Sequence, residues 1–369
     1  MIWVVHFIVI NLLLVISKII KKDSIFIIGT FVYSVFTFGQ RWMTGTDFPF
    51  YLEYYLTDHQ NFEFGYRAIQ NFLKSNDLYF GLLIFGIYTL TLYNYYRLIT
   101  KITTENKTRV LLIYFLCFSE LYFAQLSQIR NYLAVSFFVN ALYWAYYKNK
   151  IKAVVNIIFG LAFHKSILFA VPFLFLIRLK FKKITYLILF IFCLVLPLIN
   201  PTFIFEIFDN LMYSGYVDSV FNQKLSGAHY VKYYFFLVLT IIYIYYLNYP
   251  EKDSKLSEKD SKLYLIINSV LVYNIFYGLS MQFAPIFRFA NYFKIFEIIF
   301  IIYLLDYLKI FTKRFWLNII IPVLLVLYLL IAITDSYKIS YYEFRPLRFT
   351  EDKSYDELRH EMDIYKNKN

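Results

Sequence analysis

An all-α, polytopic integral membrane protein of about twelve transmembrane helices is the fold class this sequence predicts, and three observations predict it. Of its 369 residues, 60% are hydrophobic and only 17% charged, whereas soluble domains carry about a quarter charged residues. The apolar residues come in runs of nearly twenty, and at about 1.5 Å per helical residue such runs cross a hydrocarbon core of about 30 Å. The basic residues behind a formal charge of +12 sit in short clusters between those runs. That is the positive-inside pattern and not a nucleic-acid-binding face, so no nucleic acid is expected as a partner. Disorder is excluded as well, because a chain this apolar cannot stay solvated.

The runs lie near 2–20, 24–40, 78–99, 110–126, 131–147, 184–199, 233–249, 263–283, 289–308 and 315–333. Backbone polar groups in lipid must be satisfied within the segment, so each run is read as a helix. The first begins MIWVVHF without a basic leader and is read as a span, not a cleaved signal. Lysine and arginine clusters at 18–22, 101–109, 148–152, 178–183, 252–262 and 309–314 mark cytoplasmic loops. The connections poor in basic residues, 41–77, 127–131, 200–232 and 284–288, then lie outside. Two of them contain FPFYLEYYL and FIFEIFDNLMYSGY, which read as amphipathic helices at the interface.

Residues 153–177 break the alternation, because this apolar run has basic clusters at both ends. Two short helices, folded back at His164-Lys165-Ser166, keep both clusters inside. Such non-helical backbone at depth is tolerated where it lines a protein or water cavity. The expected organisation is one polytopic domain over 1–333, with outer loops 41–77 and 200–232, the re-entrant hairpin 153–177 and a cytoplasmic loop 250–262. The loop carries a duplicated EKDSKL, read as solvated. A polar tail follows over 334–369, and its mixed charge says little about its side. Twelve helices put both termini outside.

Charged groups in or beside spans cost roughly 2.5 to 3.5 kcal/mol each at the bilayer centre, so their positions point to function. Most lie toward the outer side: Arg41, Asp47, Glu63, Arg130, His164, Lys165, Arg288, Lys294 and Glu297. A planar guanidinium holds a phosphate or diphosphate bidentately, and Arg41, Arg130 and Arg288 from three helix edges could converge on one. Each could equally snorkel or pair with a carboxylate. Arg130 stands out because Gln125, Ser127, Gln128 and Asn131 surround it. His164 sits beside Lys165, whose charge favours a neutral imidazole able to accept a proton; the plainer reading is a histidine bonded to a helix end. Asp47 and Glu63 are candidate general bases for an acceptor hydroxyl, against a turn aspartate and a helix-capping glutamate.

Cys117 and Cys193 both lie in apolar runs, which gives neither a disulfide framework nor metal-ligand spacing. No metal and no cofactor are expected. Walker A, Rossmann, HExxH and GxSxG patterns are absent from the sequence, which removes support for ATP-driven transport, dinucleotide chemistry and familiar hydrolases. No sizeable soluble domain exists either, so chemistry belongs at the membrane face, on lipid-linked material.

These residues resemble the EpsG-like polysaccharide polymerases of bacterial capsule and exopolysaccharide loci, relatives of Wzy-type repeat-unit polymerases. Arg41 with Gly45-Thr46-Asp47 and Tyr51 is similar to the family's first outer motif. Glu63-Phe64-Gly65-Tyr66 is similar to its second, with Phe64 where proline is usual. Gln128-Ile129-Arg130-Asn131-Tyr132-Leu133-Ala134 resembles its Arg-Gln-x-Leu-Ala run, with Asn131 for the usual glutamine. Phe163-His164-Lys165-Ser166 with Leu168 and Pro172 resembles FHxSxLxxxP, and Arg288 with Asn291 and Tyr292 the late Arg-x-x-x-Tyr element. Coverage runs from about residue 30 to 295.

The resemblance implies a multi-pass enzyme of GT-C-like architecture in the bacterial cytoplasmic (inner) membrane, active on its extracytoplasmic side. It would join oligosaccharide repeat units carried on undecaprenyl diphosphate, for capsule, exopolysaccharide or O-antigen. Arg41, Arg130 and Arg288 would bind the diphosphates, Asp47, Glu63 or His164 would activate the acceptor, and Gln128, Tyr66, Ser166 and Tyr292 would support them. The bilayer, the lipid-linked oligosaccharide, a chain-length regulator and the flippase of the same pathway are the partners implied. A flippase for the lipid-linked unit is the rival from another class, and a ligase or acyltransferase differs only in its acceptor.

Overall fold

The computed structural model describes residues 2–45, 47–57, 62–177, 179–201, 224–246, 258–307, 342–351 and 353–368. The expected span 315–333, the FIFEIFDNLMYSGY helix and most of the EKDSKL loop lie outside the described residues. The chain divides into two compact units, residues 1–144, 149–167 and 317–369 in one, and 145–148 with 168–316 in the other. Both are built from helices, as an apolar chain with internally satisfied backbone requires.

In the first unit α1 (Ile2–Ile19) packs beside α2 (Asp23–Phe38), and α2 packs on α5 (Gly81–Ile102) and α6 (Asn106–Cys117). The tight link between α1 and α2 is reached with Lys21 at φ 57. Asn94 on α5 donates to Ser136 Oγ of α8 (Ile129–Tyr146) at 3.1 Å, and Asn140 of α8 donates back to Asn94 O at 3.1 Å. Buried amides of this kind fix the register of apolar helices that have no hydrophobic drive toward each other in lipid. On α9 (Lys150–Phe163), Phe159 stacks on Phe137 of α8 with ring centroids 5.6 Å apart.

The aromatic segment expected outside forms two helices, α3 (Phe48–Leu56) and α4 (Phe64–Ser75). Their rings join a core with Trp42, Tyr79, Phe80 and the start of α8. Into that core reaches the C-terminal segment. Its strand β2 (Glu343–Phe344) pairs antiparallel with β1 (Arg41–Trp42), and α17 (Tyr355–Lys368) packs on α3 through buried Leu358 and Met362. Tyr79 N–H donates to Phe349 O at 2.9 Å and Arg345 N–H to Gln40 O at 3.0 Å. The Arg345 guanidinium lies 3.8 Å over the Trp42 ring, and that of Arg348 4.5 Å over Tyr79. Charge alone left the side of this tail open; the pairing puts it on the side of residues 41–80.

Two expected spans are divided. The run 110–126 is cut after Cys117, and α7 (Glu120–Ala124) starts afresh. Ser119 is the cause: its hydroxyl donates to Leu116 O at 2.7 Å and accepts Tyr122 N–H at 3.2 Å, finishing one helix and capping the next. The run 184–199 becomes α12 (Lys183–Cys193) and a 3₁₀ turn at Leu196–Leu198, where Pro197 lacks the N–H that a continuing helix needs. In 153–177, α9 stops at Phe163, His164 is extended at φ −158 and ψ 118, and two short helices follow, α10 (Ile167–Ala170) and α11 (Phe173–Leu176). The break falls on the His-Lys-Ser tip.

The second unit is organised by α14 (Glu258–Ser280), against which α12, α13 (Gly227–Tyr246), α15 (Phe287–Ala290) and α16 (Lys294–Tyr307) pack. Asn268 is its polar pin, donating to Ile177 O and Leu179 O and accepting the Tyr186 hydroxyl at 2.6 Å. Among the described residues, Ile2–Ile19, Gly227–Tyr245 and Lys262–Ser280 are long and apolar enough to cross a membrane, and Asp23–Phe38, Ile167–Leu176 and Lys183–Leu198 are shorter apolar helices.

Candidate functional site

The motifs of residues 41–66 in the first unit meet at the start of α8. Gly45 takes φ 90, and a Cβ there would fall 2.8 Å from Leu126 O and Ser127 Cα, so only glycine lets the 41–47 turn lie against the 126–127 turn. Asp47 N–H then donates to Ser127 Oγ at 3.3 Å. Gly65 plays the same part for α4, since a Cβ would sit 2.7 Å from Ala162 O on α9. These two close approaches bring Glu63 and Asp47 to Arg130 and the His164 tip.

Glu63 and Arg130, 67 residues apart, form an ion pair, with the two side chains 16% and 17% exposed. The second Glu63 oxygen accepts the Lys165 N–H at 3.1 Å. Glu63 stands at the N-terminus of α4 but makes no capping hydrogen bond, and neither does Asp47 before α3. The capping role that spacing alone suggested for Glu63 is therefore replaced by a tertiary one. Around the guanidinium stand three rings: Phe62 at 3.9 Å from it, and Tyr51 and Tyr66 at 5.6 Å each. Arg130 Nε is buried without a hydrogen-bond partner. Burial, then the neighbouring Asp47, pushes the Tyr51 phenol up to about 12, so it stays a neutral hydroxyl.

Beside this pair runs a second chain of polar groups. Ser166 Oγ sits between His164 Nδ1 at 2.6 Å and Asn131 Oδ1 at 3.5 Å, and Asn131 Nδ2 donates to Gln128 Oε1 at 3.2 Å. The Ser166 N–H donates to His164 Nδ1 at 3.3 Å, which selects the tautomer with its proton on Nε2. The glutamate, the arginine and the histidine tip are thus linked through the Lys165 backbone, and Asp47, Tyr66, Gln128 and Ser166 lie in the same cluster of segments.

Arg41 is placed differently. It is 1% exposed, with Nε donating to Leu126 O at 3.2 Å and Nη1 to Phe38 O at 2.7 Å, and its guanidinium stands 5.3 Å over the Tyr88 ring. Burial pushes it down to about 10, and it ties the end of α2 to the turn before α8. In the second unit, Arg288 is half-buried on α15 and Tyr292 fully buried. Next to them Asn291, 1% exposed, leaves both side-chain amide atoms without hydrogen-bond partners. Sequence reasoning missed the rings of Tyr51 and Phe62 around Arg130. The density of aromatic residues in 48–66 was the available signal, but that density also fits a lipid interface.

The sequence profile of the EpsG family matches residues 24–349, most of the chain. The chain belongs to the EpsG family. That family is associated with Wzy-type polysaccharide polymerases, and membership makes this a membrane protein of polysaccharide biosynthesis. No curated protein and no solved structure matches it.

Proposed function

We propose that this EpsG-family protein polymerises oligosaccharide repeat units carried on undecaprenyl diphosphate, at the outer face of the bacterial cytoplasmic membrane. The growing chain leaves its diphosphate carrier as the bond from its anomeric carbon to the diphosphate oxygen breaks. A new glycosidic bond forms to a hydroxyl of the incoming unit's non-reducing sugar. The hydroxyl proton passes to a base, and the diphosphate departs with its charge held by arginine.

The observation that carries this reading is the convergence of Glu63, Arg130 and the His164–Ser166 tip within a chain of this family. Arg130 meets a diphosphate through its buried, unpartnered Nε and the fork it belongs to. Asp47, Glu63 and His164 remain the bases, and Gln128, Tyr66 and Ser166 hold them in position. Arg41 acts by fixing the 41–47 turn, because its Nε and Nη1 are engaged with carbonyl oxygens, although its Nη2 is buried without a partner. Arg288 remains a proposed diphosphate ligand and Tyr292 its support, beside the unpaired amide of Asn291. The twelve-span, GT-C-like arrangement with a re-entrant 153–177 hairpin belongs to the same proposal.

The test is mass spectrometry of lipid-linked glycans, with their membrane sidedness, in cells lacking the protein and in cells carrying Arg130→Ala. Single repeat units accumulating outside, with long surface polysaccharide lost, are the expected result. The unit trapped on the cytoplasmic face would make the protein a flippase, and long chains that never leave the lipid would make it a ligase.

A further inference from the structure

At the far ends of α5 and α8 from Arg130, three cations gather without an anion among the described residues. Lys101 Nζ stands 4.2 Å from the centre of the Trp144 ring and 5.1 Å from that of Tyr143. Lys152, from the first turn of α9, approaches the same indole at 4.3 Å. Two ammonium groups therefore share one ring, where one cation is the usual occupant. Asn140 Oδ1 accepts a hydrogen bond from Lys101 at 3.3 Å, and no carboxylate among the described residues pairs with Arg97, Lys101 or Lys152. The strain of the arrangement is visible in Lys101, half-buried, whose ammonium is pushed down to about 8 by burial and then by Arg97 and Lys152. Like charges held this close are at their most stable with an anion among them.

The surroundings say which kind of anion. Around and beyond Lys152 the α9 helix presents Ile151, Val154, Val155 and Ile158, all exposed, on one face at helical spacing. An ammonium pair at the end of apolar helices, with an uncovered apolar stripe leading away from it, matches a molecule with an anionic head and hydrocarbon tails. Trp144 and Tyr143 are the residues that sit at such a boundary.

We propose that Arg97, Lys101, Lys152 and Trp144 form a binding site for the phosphate headgroup of an anionic phospholipid, whose acyl chains lie along the exposed face of α9. The site is separate from the Arg130 cluster, lies at the other end of the same helices and does not depend on the polymerase reading. By the usual strength of a basic residue near an anionic surface, removing both lysines weakens lipid binding about thirtyfold.

The experiment compares thermal melting of the purified full chain in nanodiscs of phosphatidylcholine with and without phosphatidylglycerol. Wild type melts higher with phosphatidylglycerol, Lys101→Gln/Lys152→Gln loses that difference, and Lys101→Arg/Lys152→Arg keeps it. Each variant is read against its own melting point in phosphatidylcholine, so general destabilisation does not imitate the result. Lys152→Gln alone, at an exposed position, loses part of the difference and serves if the double variant does not fold. Equal melting of wild type in both lipids, or an undiminished difference in the glutamine variants, would overturn the proposal. So would inorganic phosphate in phosphatidylcholine discs raising the melting point as far as phosphatidylglycerol does, because the site would then take a soluble anion.

Discussion

The two ends of α8 handle positive charge in opposite ways. Where the helix begins, Arg130 is matched by Glu63 and enclosed by three rings. Where it ends, Lys101 and Lys152 crowd one indole and no carboxylate among the described residues answers them. A guanidinium that already has a counter-ion is held in position before substrate arrives, as catalysis by preorganised charge requires. Cations without one wait for an anion that the membrane supplies. The contrast separates a site built for geometry from a site built for attraction.

The comparison can be broken most severely at its paired end. Arg130→Ala strips Glu63 of its cation; loss of one partner of a buried pair costs about 3–5 kcal/mol, toward the lower end here because both groups keep some solvent contact. A fall in melting temperature together with loss of long surface polysaccharide is expected. The exchange Glu63→Arg with Arg130→Glu sharpens it. Melting temperature recovers in the exchanged protein, while polysaccharide stays absent if the arginine must stand where Arg130 does.

Next in size is Gly65→Ala. The added methyl meets Ala162 O at 2.7 Å, an overpacking worth about 1–3 kcal/mol. It pushes α4 off α9 and carries Glu63 away from the Lys165 N–H. Polymer yield should fall further than the melting temperature alone explains. Arg345→Ala comes third: it removes the guanidinium stacked on Trp42, at about 0.5–2 kcal/mol. A lower melting temperature with glycan length preserved is the expected reading, and an unchanged one would mean that the strap of residues 342–349 is held by its backbone pairing.

The smallest effect belongs to the unpaired end and to pH. Burial, and then the charged groups facing it, Arg97 and Lys152, push the Lys101 ammonium down to about 8. The phosphatidylglycerol preference should therefore weaken as pH rises through that value, with a bound anion moving the midpoint upward. Arg130 has its carboxylate and should show no such trend between pH 7 and 9.

Much of the paired end was legible in the sequence, and the reasons are local. Arg130 lies among Gln128, Asn131 and Ser127 between apolar runs, and the His164-Lys165-Ser166 tip interrupts another, so polar groups were conspicuous where lipid forbids them. Glu63 was legible both as a candidate base and as a carboxylate that an arginine could pair with, but which arginine was not, because the ion pair joins residues 67 positions apart. Arg41 was read by its charge; its burial against Leu126 and Phe38 carbonyls depends on Gly45 allowing two turns to touch. The lysine pair on Trp144 was invisible for the reverse reason. Lys101 and Lys152 sit in clusters that any positive-inside count predicts, and only folding brings them to one ring. The division of 110–126 turned on Ser119, a single hydroxyl inside an apolar stretch.

The strand pairing of residues 41–42 with 343–344 ties an early segment to one made much later. Tyr342 bonds to Thr37 across 305 residues of sequence. A ribosome therefore delivers Arg130 and Glu63 to the membrane long before the strap that braces their aromatic floor exists. Until residues 342–349 are made, that floor stays unbraced, and a chain terminated before them, even if inserted, lacks the strand that pairs with residues 41–42.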